Sequence, residues 1–205
     1  MGTVYFITHP EVNVDPSVPV TEWSLSRIGL QRMRGIVKLN WLNSIGGIYS
    51  STEKKAIEGV QVMSEHLGIP ITQVKELGEN DRSSTGYLPS AEFESVADQF
   101  FASATRSVRG WETAENAQNR IVRAVKNIVQ SQIDDSAVGI VSHGAVGTLL
   151  LCHLNQWSIS REYDHPGNGG GNYFSFSGLL RKLWAKKIVI HQGRCPLPFL
   201  SLIHI

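Results

Sequence analysis

Residues 4–10 read VYFITHP, and this short stretch decides the fold. Its first four residues are apolar and favour β-structure, which predicts a strand buried on both faces. Thr8, His9 and Pro10 then end the strand. Because a strand buried on both faces needs helices above and below its sheet, the stretch indicates an α/β protein.

Strand and helix patterns alternate along the rest of the chain. We predict further strands at residues 46–50, 69–74 and 138–141, and edge strands at 173–176 and 188–190. Helices are predicted from Ser26, from a cap at Thr52 to Leu67, and over residues 91–104, 113–131 and 145–154. Strands joined by crossover helices predict a three-layer α/β/α fold with a mostly parallel central sheet.

No internal repeat or low-complexity linker divides the 205 residues. We therefore expect one domain over residues 1–193. The chain finishes in an uncharged, apolar segment, so our hypothesis is that residues 194–205 are a non-native tail.

Charge and cysteine content limit the classes of partner. Nineteen Lys and Arg balance eighteen Asp and Glu, and a net charge of +1 provides no field for nucleic acid or an anionic membrane. No run reaches the ~18 apolar residues of a membrane helix. Cys152 and Cys195 are far apart and form no cluster, which favours a reducing, cytoplasmic location. Any anion site must therefore be local.

Two histidines follow predicted strands that are distant in sequence. His9 ends the first strand, and His143 ends the strand at 138–141. Since ligands of parallel α/β sheets bind at the carboxyl ends of strands, we expect both imidazoles at one rim. One imidazole can attack as a nucleophile while a second stabilises charge on the substrate. The pair indicates a group-transfer site.

The order and spacing of short motifs resemble the histidine phosphatase superfamily, also called the phosphoglycerate mutase-like family. The matching positions, in chain order, are His9, Glu11, Leu25, Ser26, Gly29, Gln31, Ser50, Ser51, Lys55, Ala56, Leu77, Glu79, Trp111, Glu112, Thr113, Ser142, His143 and Gly144. The resemblance implies a phosphoglycerate mutase-like fold and phosphoryl transfer through a phosphohistidine. It also implies a small phosphorylated substrate and a reaction without a metal or other cofactor.

The same resemblance implies a role for each site residue. His9 would attack phosphorus, His143 would hydrogen-bond the equatorial oxygens, and Glu79 would protonate the leaving alkoxide. A phosphate ester brings nearly two negative charges, so the site also needs polar and cationic donors. The predicted substrate-binding residues are Thr8, Lys55, Arg82 and Gly144.

This chain departs from the family pattern beside the nucleophile. Thr-His-Pro stands at residues 8–10 where the family has Arg-His-Gly, and Lys55 stands at the place of a phosphate-binding Arg. Thr8 brings no charge, and Pro10 has no N–H to donate. Losing one such donor costs ~10² to 10³ in rate. The candidates to restore the charge are Arg27, Arg32 and Arg82.

Three functions follow from this pattern. A phosphatase is expected first, with mutase-like transfer as its close variant. The second is a phosphate-binding or regulatory module of the same fold that has lost turnover. The third, a metal-dependent hydrolase, has the least support because the sequence holds no helical His pair or carboxylate cluster. Substrate choice depends on the loops at residues 13–22 and 82–89.

Overall fold

The computed structural model describes residues 2–164, 169–177 and 191–195. The strands are β1 (Thr3–Thr8), β2 (Ile45–Ser50), β3 (Ile71–Gln73), β4 (Ala137–Ser142), β5 (Asn172–Ser177) and β6 (His191–Arg194). The α-helices are α1 (Arg27–Arg34), α2 (Lys54–Leu67), α3 (Ser90–Ala102), α4 (Ala114–Ser131) and α5 (Gly144–Asn155). Strands and helices therefore alternate through most of the chain, as the sequence predicts.

The strands of the described residues form one sheet in the order β3-β2-β4-β1-β5-β6. The first four of these run parallel, β5 is antiparallel to β1, and β6 is antiparallel to β5. The prediction of a mostly parallel central sheet is confirmed. The prediction that residues 173–176 form an edge strand is wrong, because β5 is paired on both sides.

Helices cover both faces of this sheet. Val4 and Phe6 of β1 pack into a core with α4 and α5. Ile7 of the same strand points to the opposite core, which α1 and α2 cover. All six residues of β4 are buried, since β4 lies between β1 and β2 with helices on either face. The α/β architecture with three layers is confirmed.

Side-chain caps start two of the helices. The Ser26 hydroxyl accepts a hydrogen bond from the Gly29 N–H (2.9 Å) at the start of α1. Thr113 caps α4 in the same manner through Asn116 (3.2 Å). The predicted cap of α2 at Thr52 is wrong: Glu53 occupies the N-cap and its side chain makes no cap bond. The carboxylate of Glu53 points instead into the cluster described below.

Residues 191–195 are the last residues that the structure describes. Arg194 continues β6 opposite Asn172, and the buried Cys195 donates its N–H to the Gly171 carbonyl (2.8 Å). The predicted strand at 188–190 and residues 196–205 of the predicted tail lie outside the described residues. Among the helices in the described ranges, none combines the length and apolar character needed to cross a bilayer.

Candidate active site

The carboxyl ends of β1, β4 and β2 lie side by side and carry the site. The backbone N–H of His9 donates to the Ser142 carbonyl (2.9 Å), and the backbone N–H of Ser51 donates to the Val141 carbonyl (3.1 Å). These bonds extend the sheet pairing just past the strands. The ring centroids of His9 and His143 are 5.1 Å apart, with the planes inclined by 69°. The structure therefore brings the two predicted histidines together at one rim.

The tautomer of His9 follows from its backbone contact. Its Nδ1 lies 2.8 Å from the Pro10 carbonyl oxygen. Because a carbonyl only accepts, Nδ1 carries the hydrogen and Nε2 carries the lone pair. Burial lowers the pKa of His9 to about 4, and the Lys55 charge acts in the same direction. His9 is therefore a neutral base with a free Nε2 at pH 7.

His143 is fully buried at the N-cap of α5. Its Nε2 lies 2.7 Å from the Ser51 hydroxyl and 3.3 Å from Oε1 of Glu53. Its Nδ1 is buried and has no hydrogen-bond partner among the described residues. Burial lowers the pKa of His143 well below the usual range, and the neighbouring His9 acts in the same direction. One ring nitrogen of His143 thus has no hydrogen bond to the described part of the chain.

Glu53 connects the predicted site residues, and the sequence analysis missed it. Its Oε2 binds Nζ of Lys55 (2.5 Å), and its Oε1 accepts the N–H of Glu79 (2.8 Å). Lys55 also donates to the Val20 carbonyl (2.8 Å). Thr-Glu-Lys-Lys at the start of a helix is typical of a solvated terminus. The only available signal was its place two residues after Ser51, which directly follows β2.

Glu79 lies at the N-terminus of α5. Its carboxylate accepts hydrogen bonds from the N–H groups of Ala145 (3.2 Å) and Val146 (3.1 Å). Burial raises the pKa of Glu79, while the charge of Arg82 opposes the rise. Glu79 therefore holds a proton to higher pH than an ordinary glutamate, which a general acid requires.

The loop that carries Glu79 is anchored at two points. The Ser142 hydroxyl donates to the carbonyl of Leu77 (2.7 Å). Arg120 of α4 donates to the carbonyls of Glu76 (2.8 Å), Gly78 (2.9 Å) and Glu79 (3.0 Å), and its remaining donors bind Glu112 (2.8 and 3.1 Å). Sequence reasoning missed Arg120, which lies among the other charged residues of an amphipathic helix.

The predicted substrate-binding residues have different surroundings. Thr8 is buried, and its hydroxyl is bonded to the backbone N–H and carbonyl of Asn172 (3.2 Å each). Gly144 is the first residue of α5. Lys55 is held by Glu53, as described above. The hydroxyl of Thr8 therefore serves the β1–β5 pairing in this structure.

Of the three candidate arginines, Arg82 lies at the site. Its charge adds to the lowering of the His9 pKa by burial and opposes the rise of the Glu79 pKa. Its guanidinium lies 4.8 Å from the Phe93 ring centroid. Arg32 instead binds the carbonyls of Gly169 (2.6 Å) and Gly170 (2.9 Å). Arg27 is exposed on α1.

A cavity of about 850 Å³ adjoins the histidine pair and shares Glu53, Glu79 and Arg82 with it. Its walls include residues 19–21 and 82–83, so both predicted specificity loops contribute. His9 and His143 are not among the residues that line the cavity. Within the described residues, no group of three His, Cys, Asp or Glu side chains is placed to hold a metal ion.

The fold and the paired histidines define an α/β protein with two histidines at the ends of neighbouring parallel strands. The sequence profile of the histidine phosphatase superfamily (branch 1) matches residues 5–177, and the chain belongs to this superfamily. The resemblance that the sequence motifs indicated is thereby confirmed. No protein of curated function matches the chain in sequence.

Several solved structures share this fold. YhfR of Bacillus stearothermophilus is 23% identical, with a TM-score of 0.73 over 86% of this chain and 91% of YhfR. A mycobacterial glucosyl-3-phosphoglycerate phosphatase is 16% identical, with a TM-score of 0.72 over 95% of this chain and 98% of the phosphatase. An Entamoeba histolytica phosphoserine phosphatase bound to 3-phosphoglyceric acid is 14% identical, with a TM-score of 0.71 over 93% and 95%. At these identities the likeness shows the fold.

Proposed function

We propose that this chain hydrolyses small phosphate monoesters through a phosphohistidine formed on His9. One observation carries the proposal: Nδ1 of His9 is bonded to the Pro10 carbonyl, and its ring lies 5.1 Å from that of His143. This geometry leaves Nε2 of His9 free as a nucleophile and places a second imidazole beside it. Membership of the histidine phosphatase superfamily supports the same reaction class.

In the first step, the Nε2 lone pair of His9 forms a bond to phosphorus while the ester P–O bond breaks. Protonated Glu79 gives its proton to the departing oxygen, so an alcohol leaves. Nδ1 of His143, which lacks a partner among the described residues, contributes a donor to the equatorial oxygens. Arg82 adds positive charge at the same place.

In the second step, the Glu79 carboxylate takes a proton from water. The oxygen of that water bonds to phosphorus, and the bond from phosphorus to His9 breaks. Orthophosphate leaves, His9 is neutral again and Glu79 is again protonated. An acceptor alcohol in place of water would give mutase-like transfer. The phosphatases among the structural neighbours favour hydrolysis.

The direct test is hydrolysis of p-nitrophenyl phosphate in the presence of EDTA. We expect slow turnover that falls by ~10³-fold or more in His9→Ala, because the nucleophile is lost. His66→Ala is the matched control, since His66 is exposed near the end of α2. Equal turnover in His9→Ala, or turnover that EDTA removes, would contradict the proposal.

A binding module without turnover is the second candidate, and the surroundings of Thr8 favour it. Its hydroxyl is occupied by Asn172, and Pro10 offers no N–H. Two donors that would stabilise the transition state are therefore missing beside His9. Orthophosphate binding in calorimetry without hydrolysis of any ester would establish this candidate instead.

A further inference from the structure

We propose that the substrate of this site is a phosphate ester whose alcohol carries no second anionic group, with a cationic alcohol preferred. The inference rests on the proposed function and concerns the cavity that adjoins the histidine pair. This cavity shares Glu53, Glu79 and Arg82 with the site, and its volume of about 850 Å³ is large enough for a ring-sized alcohol bound through its phosphate at His9. The charges of its walls then determine which alcohols bind.

Carboxylates outnumber cations in the cavity walls that the structure describes. The five acidic residues are Glu53, Glu76, Glu79, Asp81 and Glu112. The three basic residues are Lys75, Arg82 and Arg120. Glu53 is paired with Lys55, and Glu112 is paired with Arg120. With Glu79 protonated and Arg82 at the phosphoryl position, the remaining wall charges are two carboxylates, Glu76 and Asp81, and one cation, Lys75. A second anionic group on the ligand would therefore meet net repulsion beyond the phosphoryl position.

The cations of the walls are poorly placed to receive a second anion. Every nitrogen of the Arg120 guanidinium binds Glu112 or a backbone carbonyl. Arg82 stands beside Glu79 and Glu53, where its charge serves the phosphoryl position. The only remaining cation of these walls is Lys75, which is exposed and adjacent to Glu76 in sequence.

Two carboxylates at the outer part of the cavity face solvent. Glu76 and Asp81 are exposed, in contrast to the buried Glu53. Hydrogen bonds from Ser83 to Asp81 lower the pKa of that carboxyl, so it stays ionised near neutrality. A cationic end of the leaving group can reach these carboxylates without displacing the ion pairs deeper in the site.

A neutral donor in the wall points to the same class of ligand. Asn80 lines the cavity and is only 5% exposed. Its Nδ2 has no hydrogen-bond partner among the described residues. A buried amide without a partner destabilises the protein, and a ligand oxygen that accepts from it would relieve this cost. An ester or hydroxyl oxygen satisfies this donor without adding a charge.

Three aryl phosphates that differ only at the far end test the inference. They are 4-(aminomethyl)phenyl, 4-(hydroxymethyl)phenyl and 4-(carboxymethyl)phenyl phosphate, and the methylene keeps the reactivity of the leaving groups similar. We expect kcat/KM to fall in that order, with about tenfold between the cationic and anionic esters. A faster or equal rate with the carboxymethyl ester would overturn the inference.

Reversing one charge of the cavity wall tests whether the preference among the esters is due to charge or to shape. Glu76→Lys is expected to reduce the ratio of kcat/KM for the cationic ester to kcat/KM for the anionic ester by about fivefold or more. Glu65→Lys is the matched control, because Glu65 is equally exposed on α2 but lies outside the cavity walls. An unchanged ratio in Glu76→Lys, or the same change in Glu65→Lys, would also overturn the inference.

Binding distinguishes failure of this inference from failure of the proposed function. Calorimetric titration of His9→Ala with the same three esters ranks their affinities without any turnover. If the cationic ester binds best to His9→Ala while the wild type hydrolyses none of the three esters, the inference on the cavity holds and the proposed phosphatase activity is rejected. The anionic ester binding best would reject the inference, whatever the rates.

Discussion

At the scale of single residues, Glu53 is the centre of the site. Its carboxylate contacts Lys55, the N–H of Glu79 and Nε2 of His143. A buried ammonium such as that of Lys55 needs a counter-ion, and the Glu53 carboxylate provides it. The pair therefore keeps a cation at the site, and its net effect on stability is small.

Removing one partner of this pair leaves the other charge buried. Glu53→Ala is expected to lower the free energy of unfolding by ~3 kcal/mol or more, because Lys55 loses its counter-ion. The double variant Glu53→Leu with Lys55→Met removes both charges and should recover about 2 kcal/mol of that loss. Urea unfolding of the three proteins measures the difference. A double variant as unstable as Glu53→Ala would show that Glu53 stabilises the fold through its other partners.

Sequence alone placed His9 and His143 at one rim because both follow buried strands. It could not place Glu53 or Arg120. The contacts of Glu53 depend on how the start of α2 approaches the end of β4, and those of Arg120 on how α4 approaches the loop that carries Glu79. A charged residue in a helix carries no mark of either approach. The long-range contacts of the polar side chains in the site therefore could not be predicted from the sequence.

At the scale of elements, α1 packs closely against the segment that follows His9. The N–H of Ser26 donates to the Glu11 carbonyl (2.9 Å), and the Ser26 hydroxyl donates to Oε1 of Glu11 (2.7 Å). A Cβ at Gly29 would lie 2.1 Å from the same carbonyl oxygen. Only glycine allows this approach, which holds the chain beyond Pro10 in place.

Gly29→Ala is expected to lower the free energy of unfolding by ~2–3 kcal/mol, because α1 must move away from Glu11. Gly59→Ala on α2 is the matched control. Its new methyl group would lie 3.4 Å from the Val141 side chain, an ordinary contact, and alanine favours a helix over glycine by about 1 kcal/mol. Denaturant midpoints compare the two variants. Equal loss in both would mean that the contact with Glu11 does not restrict α1.

The sequence pattern predicts strands but does not predict their order in the sheet. Apolar runs predict β1 and β4, and the sequence also predicts a strand at residues 173–176, where β5 lies. The sequence places that strand at an edge, yet β6 covers the outer side of β5. Hydrophobic alternation reports which faces of a strand are buried, and it carries no information on whether its edge is paired.

At the scale of the whole molecule, the site chemistry is linked to stability. His9 and His143 are both held neutral by burial, which lowers their pKa values. In the unfolded chain both would take up protons near the ordinary pKa of ~6.5. His9 thus stays neutral in mildly acidic solution, while the free energy of unfolding falls there.

The pH dependence of unfolding tests this link. Between pH ~6.5 and the folded pKa of His9 of about 4, the unfolded chain binds the extra proton, so stability rises with pH and is lost on acidification. We expect wild type to lose about 2 kcal/mol more than His9→Gln between pH 7 and pH 4.5, measured by urea unfolding. The raised pKa of Glu79 acts in the opposite sense, and it cancels to first order because both proteins retain Glu79. Equal losses in the two proteins would show that His9 takes up its proton as readily in the folded site as in the unfolded chain.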